Sequence, residues 1–210
     1  MIIDLTHTLK NNMTFYPGSG EPTFNKIRSI ETDGYNQIEL KINTHTGTHI
    51  DAPVHILPGT KSLDEFNLEK FIGPACVIDC SKVNEIGVDL LKKYESRIKN
   101  VDFILFYAGM QENWNSDQYF NEYPTLTETA VRWLANFDLK ALGFDYISVD
   151  KMDDYSLINH RILLENEILI IENITNLDQL ISKNFELNCI PLKIENSDGA
   201  PVRVFARVDN

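Results

Sequence analysis

The chain is short of basic residues. Its 210 residues hold 19 Lys and Arg against 31 Asp and Glu, a formal net charge of −12. That balance argues against nucleic acid or an anionic membrane as partner, because both are held by basic patches. An acidic substrate would need local positive charge, which a bound cation supplies. Long apolar runs are missing too, and nothing approaches the ~18 residues of a membrane span. Met1-Ile2-Ile3-Asp4-Leu5-Thr6 has no basic region followed by an apolar core, so no secretory leader is expected. Cysteine is scarce. Cys76, Cys80 and Cys189 are odd in number and show no Cys-x-x-Cys spacing. Cys76 and Cys80 share one face of an apolar strand, and the three read as buried free thiols rather than metal ligands or a disulfide. A reducing, cytoplasmic setting fits. No composition shift, repeat or Gly/Ser linker divides the chain, so one domain over residues 1–210 is expected.

Histidine is rare as well, and its placement is therefore informative. Three of the five histidines lie in His45-Thr46-Gly47-Thr48-His49-Ile50-Asp51-Ala52-Pro53-Val54-His55. Imidazole and carboxylate suit a zinc- or manganese-like cation, and imidazole moves protons near neutral pH. A straight strand would put the odd-numbered residues on one face but would separate His45 from Asp51 by about 20 Å. Ligand bonds of about 2 Å to one ion rule that out. A continuous helix is opposed by Gly47 and Pro53. The spacing predicts a bent loop leaving a strand, with Gly47 at the bend and Pro53 fixing the exit.

Around this stretch the pattern is mixed. Residues 24–30 and 35–42 alternate as a hairpin turning near Asp33-Gly34. The segment 62–71 reads as a short helix or irregular piece. Strands are expected at 2–5, 74–79, 102–107, 141–144, 168–171, 188–194 and 201–208, and amphipathic helices at 84–99, 127–136 and 156–166. Thr127 is a helix-cap candidate. Strand and helix alternate from Pro74 onward, which predicts an α/β layered fold. Two loops are candidate substrate contacts: Tyr16-Pro17-Gly18, where Tyr16 either packs on the surface or lines a pocket, and the aromatic loop opening at Trp114.

Two late residues matter. Glu172 follows the apolar run Ile168–Ile171, and His160 lies on an expected helix. Each alone reads as a solvated strand end or a surface histidine. With the first stretch they make a ligand inventory of His45, His49, Asp51, His160 and Glu172, enough for two ions sharing one carboxylate.

The eleven-residue stretch resembles the signature His-x-Gly-Thr-His-x-Asp-x-Pro-x-His of the cyclase family, whose best-known members are bacterial kynurenine formamidases of tryptophan catabolism. Similarity continues through Tyr16-Pro17-Gly18, Gly143-Phe144-Asp145 with Ser148 and Asp150, and His160-Arg161. It runs on through Ile171-Glu172-Asn173, Asp198-Gly199 and Pro201-Val202-Arg203. The resemblance implies a swivelling β/α/β-type domain with a mixed sheet or barrel-like core and flanking helices. It also implies a homodimer or homotetramer holding Zn²⁺, one or two ions, or Mn²⁺. Carried over by position, His45, His49 and Asp51 would bind one ion, and Asp51, His160 and Glu172 a second. His55 would be the catalytic histidine. A cation lowers the pKa of a water it holds and stabilises an oxyanion, while His55 passes a proton to the leaving amine.

The expectation is hydrolysis of a small amide such as an arylformamide. The alternatives are ring opening like that of isatin hydrolases, lactone hydrolysis, or metal binding without catalysis. Two departures bear on the substrate. Ser19-Gly20 stands where an acidic residue usually follows the Pro-Gly pair, and Tyr107-Ala108-Gly109-Met110 replaces an Arg-Thr-Gly-Trp-like segment.

Overall fold

The strands in the middle of the chain carry apolar side chains on both faces, the pattern of parallel strands covered on two sides. In the computed structural model, which describes residues 1–208, successive residues of these strands enter two separate cores. Cys76, Ile78, Ile104, Phe106, Leu142, Phe144 and Ile170 face one side, with the helices. Ala75, Val77, Phe103, Leu105, Ala141, Leu169 and Ile171 face the other. Each fully buried Leu, Ile or Phe contributes roughly 1.5–3 kcal/mol. Cys76 and Cys80 do share a face, and all three cysteines are buried and free.

In chain order the strands are β1 (Ile2–Asp4), β2 (Thr23–Arg28), β3 (Gln37–Lys41), β4 (His49–Asp51), β5 (Ile72–Asp79), β6 (Glu85–Ile86), β7 (Phe103–Tyr107), β8 (Thr125–Leu126), β9 (Ala141–Phe144), β10 (Leu169–Glu172), β11 (Phe185–Asn188), β12 (Gly199–Pro201) and β13 (Phe205–Val208). The helices are α1 (Ile30–Asp33), α2 (Val88–Lys92), α3 (Glu95–Ile98), α4 (Glu128–Leu134) and α5 (Ile158–Glu165). Nine strands form one sheet in the order β1-β13-β11-β5-β7-β9-β10-β4-β12. The four from β5 to β10 run parallel, and antiparallel strands flank them. β12 and β13 lie near opposite ends of that order, yet the chain passes from Pro201 to Phe205 in four steps, at most roughly 14 Å. The sheet must curl until its ends approach, which gives the mixed, barrel-like α/β core of the swivelling β/α/β type. Among the described residues no helix is long and apolar enough to cross a membrane.

Several local expectations change. The β2–β3 hairpin is joined by the one-turn helix α1 with Gly34 left-handed at its end, not by a two-residue turn. The helix expected over 84–99 is broken. Glu85–Ile86 pairs in parallel with Thr125–Leu126, and the backbone leaves the helix at Tyr94 between α2 and α3. Residues 190–194 are not a strand. Only an isolated bridge joins Pro191 to Val202, and Pro191 has no N–H to give a ladder. Thr127 caps α4 as expected, accepting from the Ala130 N–H at 3.1 Å.

Candidate metal centre

The centre forms beyond the carboxyl ends of parallel β9 and β10, where open α/β sheets place their ligands. On β10, Ile170 and Glu172 share the helix-side face. β4 lies antiparallel beside it, with His49 opposite Glu172 and Asp51 opposite Ile170. Ile50 points into the other core, so period-2 geometry alone sends His49, Asp51 and Glu172 the same way. The bend before β4 is made by Gly47 at φ +67°, where an added Cβ would lie 2.6 Å from Leu9 Cδ2. Pro53 opens the turn that carries His55. The 45–55 stretch is thus loop, short strand and turn in succession.

The side chains converge in three overlapping sets whose candidate ligand atoms lie within 4.8 Å of one another: His45, His49 and Asp51; Asp51, His160 and Glu172; and the half-buried His45, His55 and Asp198. Asp51 Oδ1 is 2.7 Å from His45 Nδ1 and 3.4 Å from His49 Nε2. Glu172 Oε2 is 3.4 Å from His49 Nε2, and its Oε1 is 3.6 Å from His160 Nε2. Asp51 Oδ2 reaches within 3.9 Å of His160 Nε2. In the first two sets all but half-buried His45 are buried. Among the described residues Asp51 Oδ1 makes no hydrogen bond of good geometry, its contacts being the ion-pair approaches of His45 and His49. A buried carboxylate oxygen facing two imidazole nitrogens leaves a lone pair that a cation can take. The donor set of nitrogen and oxygen fits zinc or manganese.

Partners behind the candidate ligands set their orientation. His49 Nδ1 donates to the Gly47 carbonyl at 2.8 Å. His160 Nδ1 pairs with Asp150 Oδ2 at 2.7 Å. Asp150 also accepts the backbone N–H groups of Asn159 and His160, so one carboxylate caps α5 and aims His160. His45 Nε2 donates to Asp198 Oδ2 at 2.9 Å, and His55 Nδ1 lies 3.4 Å from the same oxygen. His55 packs 4.1 Å from the His45 ring, centroid to centroid. Thr46 bonds within its loop to Asn43, and Thr48 bonds to the Asn173 carbonyl.

Electrostatics follow burial and these contacts. Burial works against the His45 imidazolium, but Asp51 and then Asp198 outweigh it and raise its pKa to about 9. Burial likewise opposes the Asp51 anion, yet the surrounding histidines, His45 first, hold it well below the usual carboxylate range. Burial and the nearby His45 and His160 leave His55 below its ordinary value. His160 is raised, burial being overcome by Asp150, Glu172 and Asp51.

The candidate ligands and His55 line a cavity of about 290 Å³, completed by Tyr16, Ser19, Asn43, Ile147, Ser148 and Leu157. Tyr16 therefore lies in its wall. Pro17 does not line it. Trp114 does not either: its indole stacks on His7 at 4.0 Å, edge-on to Tyr119 at 4.9 Å. A hollow of about 330 Å³ between residues 53–61 and 164–167 holds a Lys61–Glu167 ion pair and no ligating cluster. Sequence reasoning missed Asp150 and Asp198 as partners. Both lie in the family-like segments, but beyond an Asp ten residues before His160 and an Asp-Gly turn nothing in the sequence pairs them with a histidine.

Fold and site together define a mixed-sheet α/β protein with a histidine–carboxylate cleft suited to divalent cations. The chain belongs to the Cyclase family, whose model, described as Putative cyclase, matches residues 3–151. It is 30% identical over 206 residues to a kynurenine formamidase of Bacillus anthracis, covering 98% of this chain and 96% of that protein. A kynurenine formamidase of Bacillus cereus is 31% identical over the same length and coverage. Among solved structures, isatin hydrolase A from Labrenzia aggregata bound to benzyl benzoate superimposes with a TM-score of 0.88 at 27% identity, covering 100% of this chain and 94% of that one. A predicted metal-dependent hydrolase from Bacillus stearothermophilus gives a TM-score of 0.81 at 26% identity, covering 98% and 97%.

Proposed function

We propose that this chain is a metal-dependent hydrolase of a small C–N bond, acting on an arylformamide-like amide as the kynurenine formamidases it resembles are named to do. The observation that carries the reading is the convergence of two candidate ligand sets on buried Asp51, with His55 in the same cavity wall. In this reading His45, His49 and Asp51 hold one ion, and Asp51, His160 and Glu172 a second. A bound Zn²⁺ or Mn²⁺ supplies Lewis acidity toward water and carbonyl oxygen. The chain's own residues do the rest. Asp198 turns Nδ1 of His55 away from the reacting atoms, so Nε2 is the position that takes a proton and returns it to the leaving nitrogen. Tyr16, Ile147 and Leu157 offer apolar surface to a planar substrate, and Ser19, Asn43 and Ser148 offer hydrogen bonds. The isatin hydrolase likeness supports lactam ring opening as a second reading, since it asks for the same chemistry on a cyclic amide. The three buried thiols support a reducing, cytoplasmic setting, and the exposed β2–β3 hairpin supports a homodimer or homotetramer of one-domain chains.

The test is metal-reconstituted protein assayed on N-formylkynurenine, isatin and simple aryl formamides. Turnover by wild type, with His55→Ala inactive at unchanged metal content, is the expected result. Absence of stoichiometric metal, or full turnover by His55→Ala, would remove the assignment.

A further inference from the structure

One residue touches both halves of the centre without being a candidate ligand. Asn173 directly follows Glu172, is buried, and adopts φ +59°. Its side-chain Nδ2 donates to the Gly47 carbonyl at 2.9 Å, and its Oδ1 accepts the Tyr119 hydroxyl at 2.8 Å. A carbonyl oxygen only accepts, so the amide nitrogen must face Gly47 and the oxygen must face Tyr119. The same Gly47 oxygen takes Nδ1–H of His49. The shorter contact assigns the ring proton to Nδ1, although Asn173 Nδ2 also approaches Nδ1 directly at 3.4 Å. Nε2 is left as a lone-pair donor, 3.4 Å from both Asp51 Oδ1 and Glu172 Oε2. Gly47 is left-handed and has no side chain, so its local backbone does not dictate where its carbonyl points. Something has to hold that carbonyl. The Asn173 backbone oxygen adds a second tie, accepting the Thr48 hydroxyl, whose oxygen in turn accepts the His7 N–H.

We propose that Asn173, itself held by buried Tyr119, is a positioning residue that fixes the Gly47 carbonyl and through it the tautomer and aim of His49. This rests on the reading of His49 as a metal ligand. The hydrogen-bonded chain Tyr119–Asn173–Gly47–His49 couples the residue after one ligand to the orientation of another, across the β4–β10 pairing. Metal-binding histidines are generally oriented by such outer partners, and losing one typically weakens metal binding about 10–100-fold.

Two variants test it. Asn173→Gly removes the amide and tolerates the positive φ. Tyr119→Phe keeps the buried ring and removes only the hydroxyl. In metal-free protein, long-range ¹H–¹⁵N spectra should show His49 protonated at Nδ1 in wild type and a mixture of tautomers in Asn173→Gly. Zn²⁺ affinity, measured by competition with a chromogenic chelator, should fall roughly 10–100-fold in Asn173→Gly. Tyr119→Phe should lose roughly 2–10-fold, the worth of one hydrogen bond. Unchanged tautomer and unchanged affinity in both variants would overturn the proposal, and so would a lowered melting temperature alone. If Asn173→Gly fails to fold, Tyr119→Phe carries the test. A wild type that binds no metal would sink the ligand reading instead, while the tautomer spectra would still decide the role of Asn173.

Discussion

At the scale of single residues, His7 ties stability to pH. Burial lowers its pKa to about 4, and its Nε2 has no hydrogen-bond partner among the described residues. The unfolded chain takes up this proton below about pH 6.5 and the folded chain only below about 4. Stability therefore falls as pH drops through that window, by up to about 3 kcal/mol. His7→Phe keeps the stack on Trp114 and removes the proton site. Urea melts of metal-free protein at pH 7.5 and pH 5 should show an acid loss about 2 kcal/mol smaller in the variant. Equal losses would refute the assignment. Asp150 makes a second case. Asp150→Asn weakens the hold on His160 Nδ1, and metal affinity should drop about 10-fold or more with the fold intact; unchanged affinity on titration would contradict it. The contrast explains what was readable. His45, His49, Asp51, His160 and Glu172 could be read because histidine is rare and its spacing limits the geometry. Asp150 and Asp198 are two of 31 acidic residues, and only the folded path decides which of them meets an imidazole. Trp114 packs between His7 and Tyr119 instead of lining the cavity, a choice of aromatic partners that only the folded path decides.

At the scale of elements, unbroken apolar runs carried most of the correct strand expectations and missing partners caused most of the errors. β5, β7, β9 and β10 were visible as apolar runs because both their faces are covered. Residues 190–194 alternate just as well, but a strand exists only where a neighbour completes its ladder. The broken helix at 84–99 has the same origin: Ile86 is claimed by pairing with Leu126, a long-range event with no local signal. β12 shows how an element's backbone can set a side chain. A Cβ on Gly199 would lie 2.8 Å from His45 Cε1 and 3.1 Å from the Ile50 carbonyl oxygen. Gly199→Ala should therefore push His45 off its present position between Asp51 and Asp198. The expected outcome is a folded protein with metal affinity reduced at least several-fold, read by equilibrium dialysis. Wild-type affinity in that variant would show that His45 gives way at no cost.

At the scale of the whole molecule, the β2–β3 hairpin is the part left unfinished. Every residue of β3 is exposed, and Ile38 and Leu40 are 60% and 56% accessible, with Ile27, Ile30 and Tyr35 also open to solvent. A two-stranded ribbon is marginal by itself, and exposed Ile and Leu side chains along it on a protein of net charge −12 make it the candidate contact surface. The ribbon is not remote from the chemistry. β3 ends at Lys41, four residues before His45, and Asn43 in between both lines the cavity and bonds to the His45 N–H. Covering the ribbon with a second copy would fix the loop that presents His45, the first candidate ligand. Ile38→Lys combined with Leu40→Lys should lower the assembly mass in sedimentation velocity while leaving each chain folded by circular dichroism. Because the 42–48 loop then loses its support, kcat/KM should fall even though no residue of the centre has changed. A wild type that sediments as a monomer at micromolar concentration would defeat this, as would a double variant of unchanged mass. A dissociated variant of undiminished activity would separate assembly from the site and leave the hairpin with a purely architectural role.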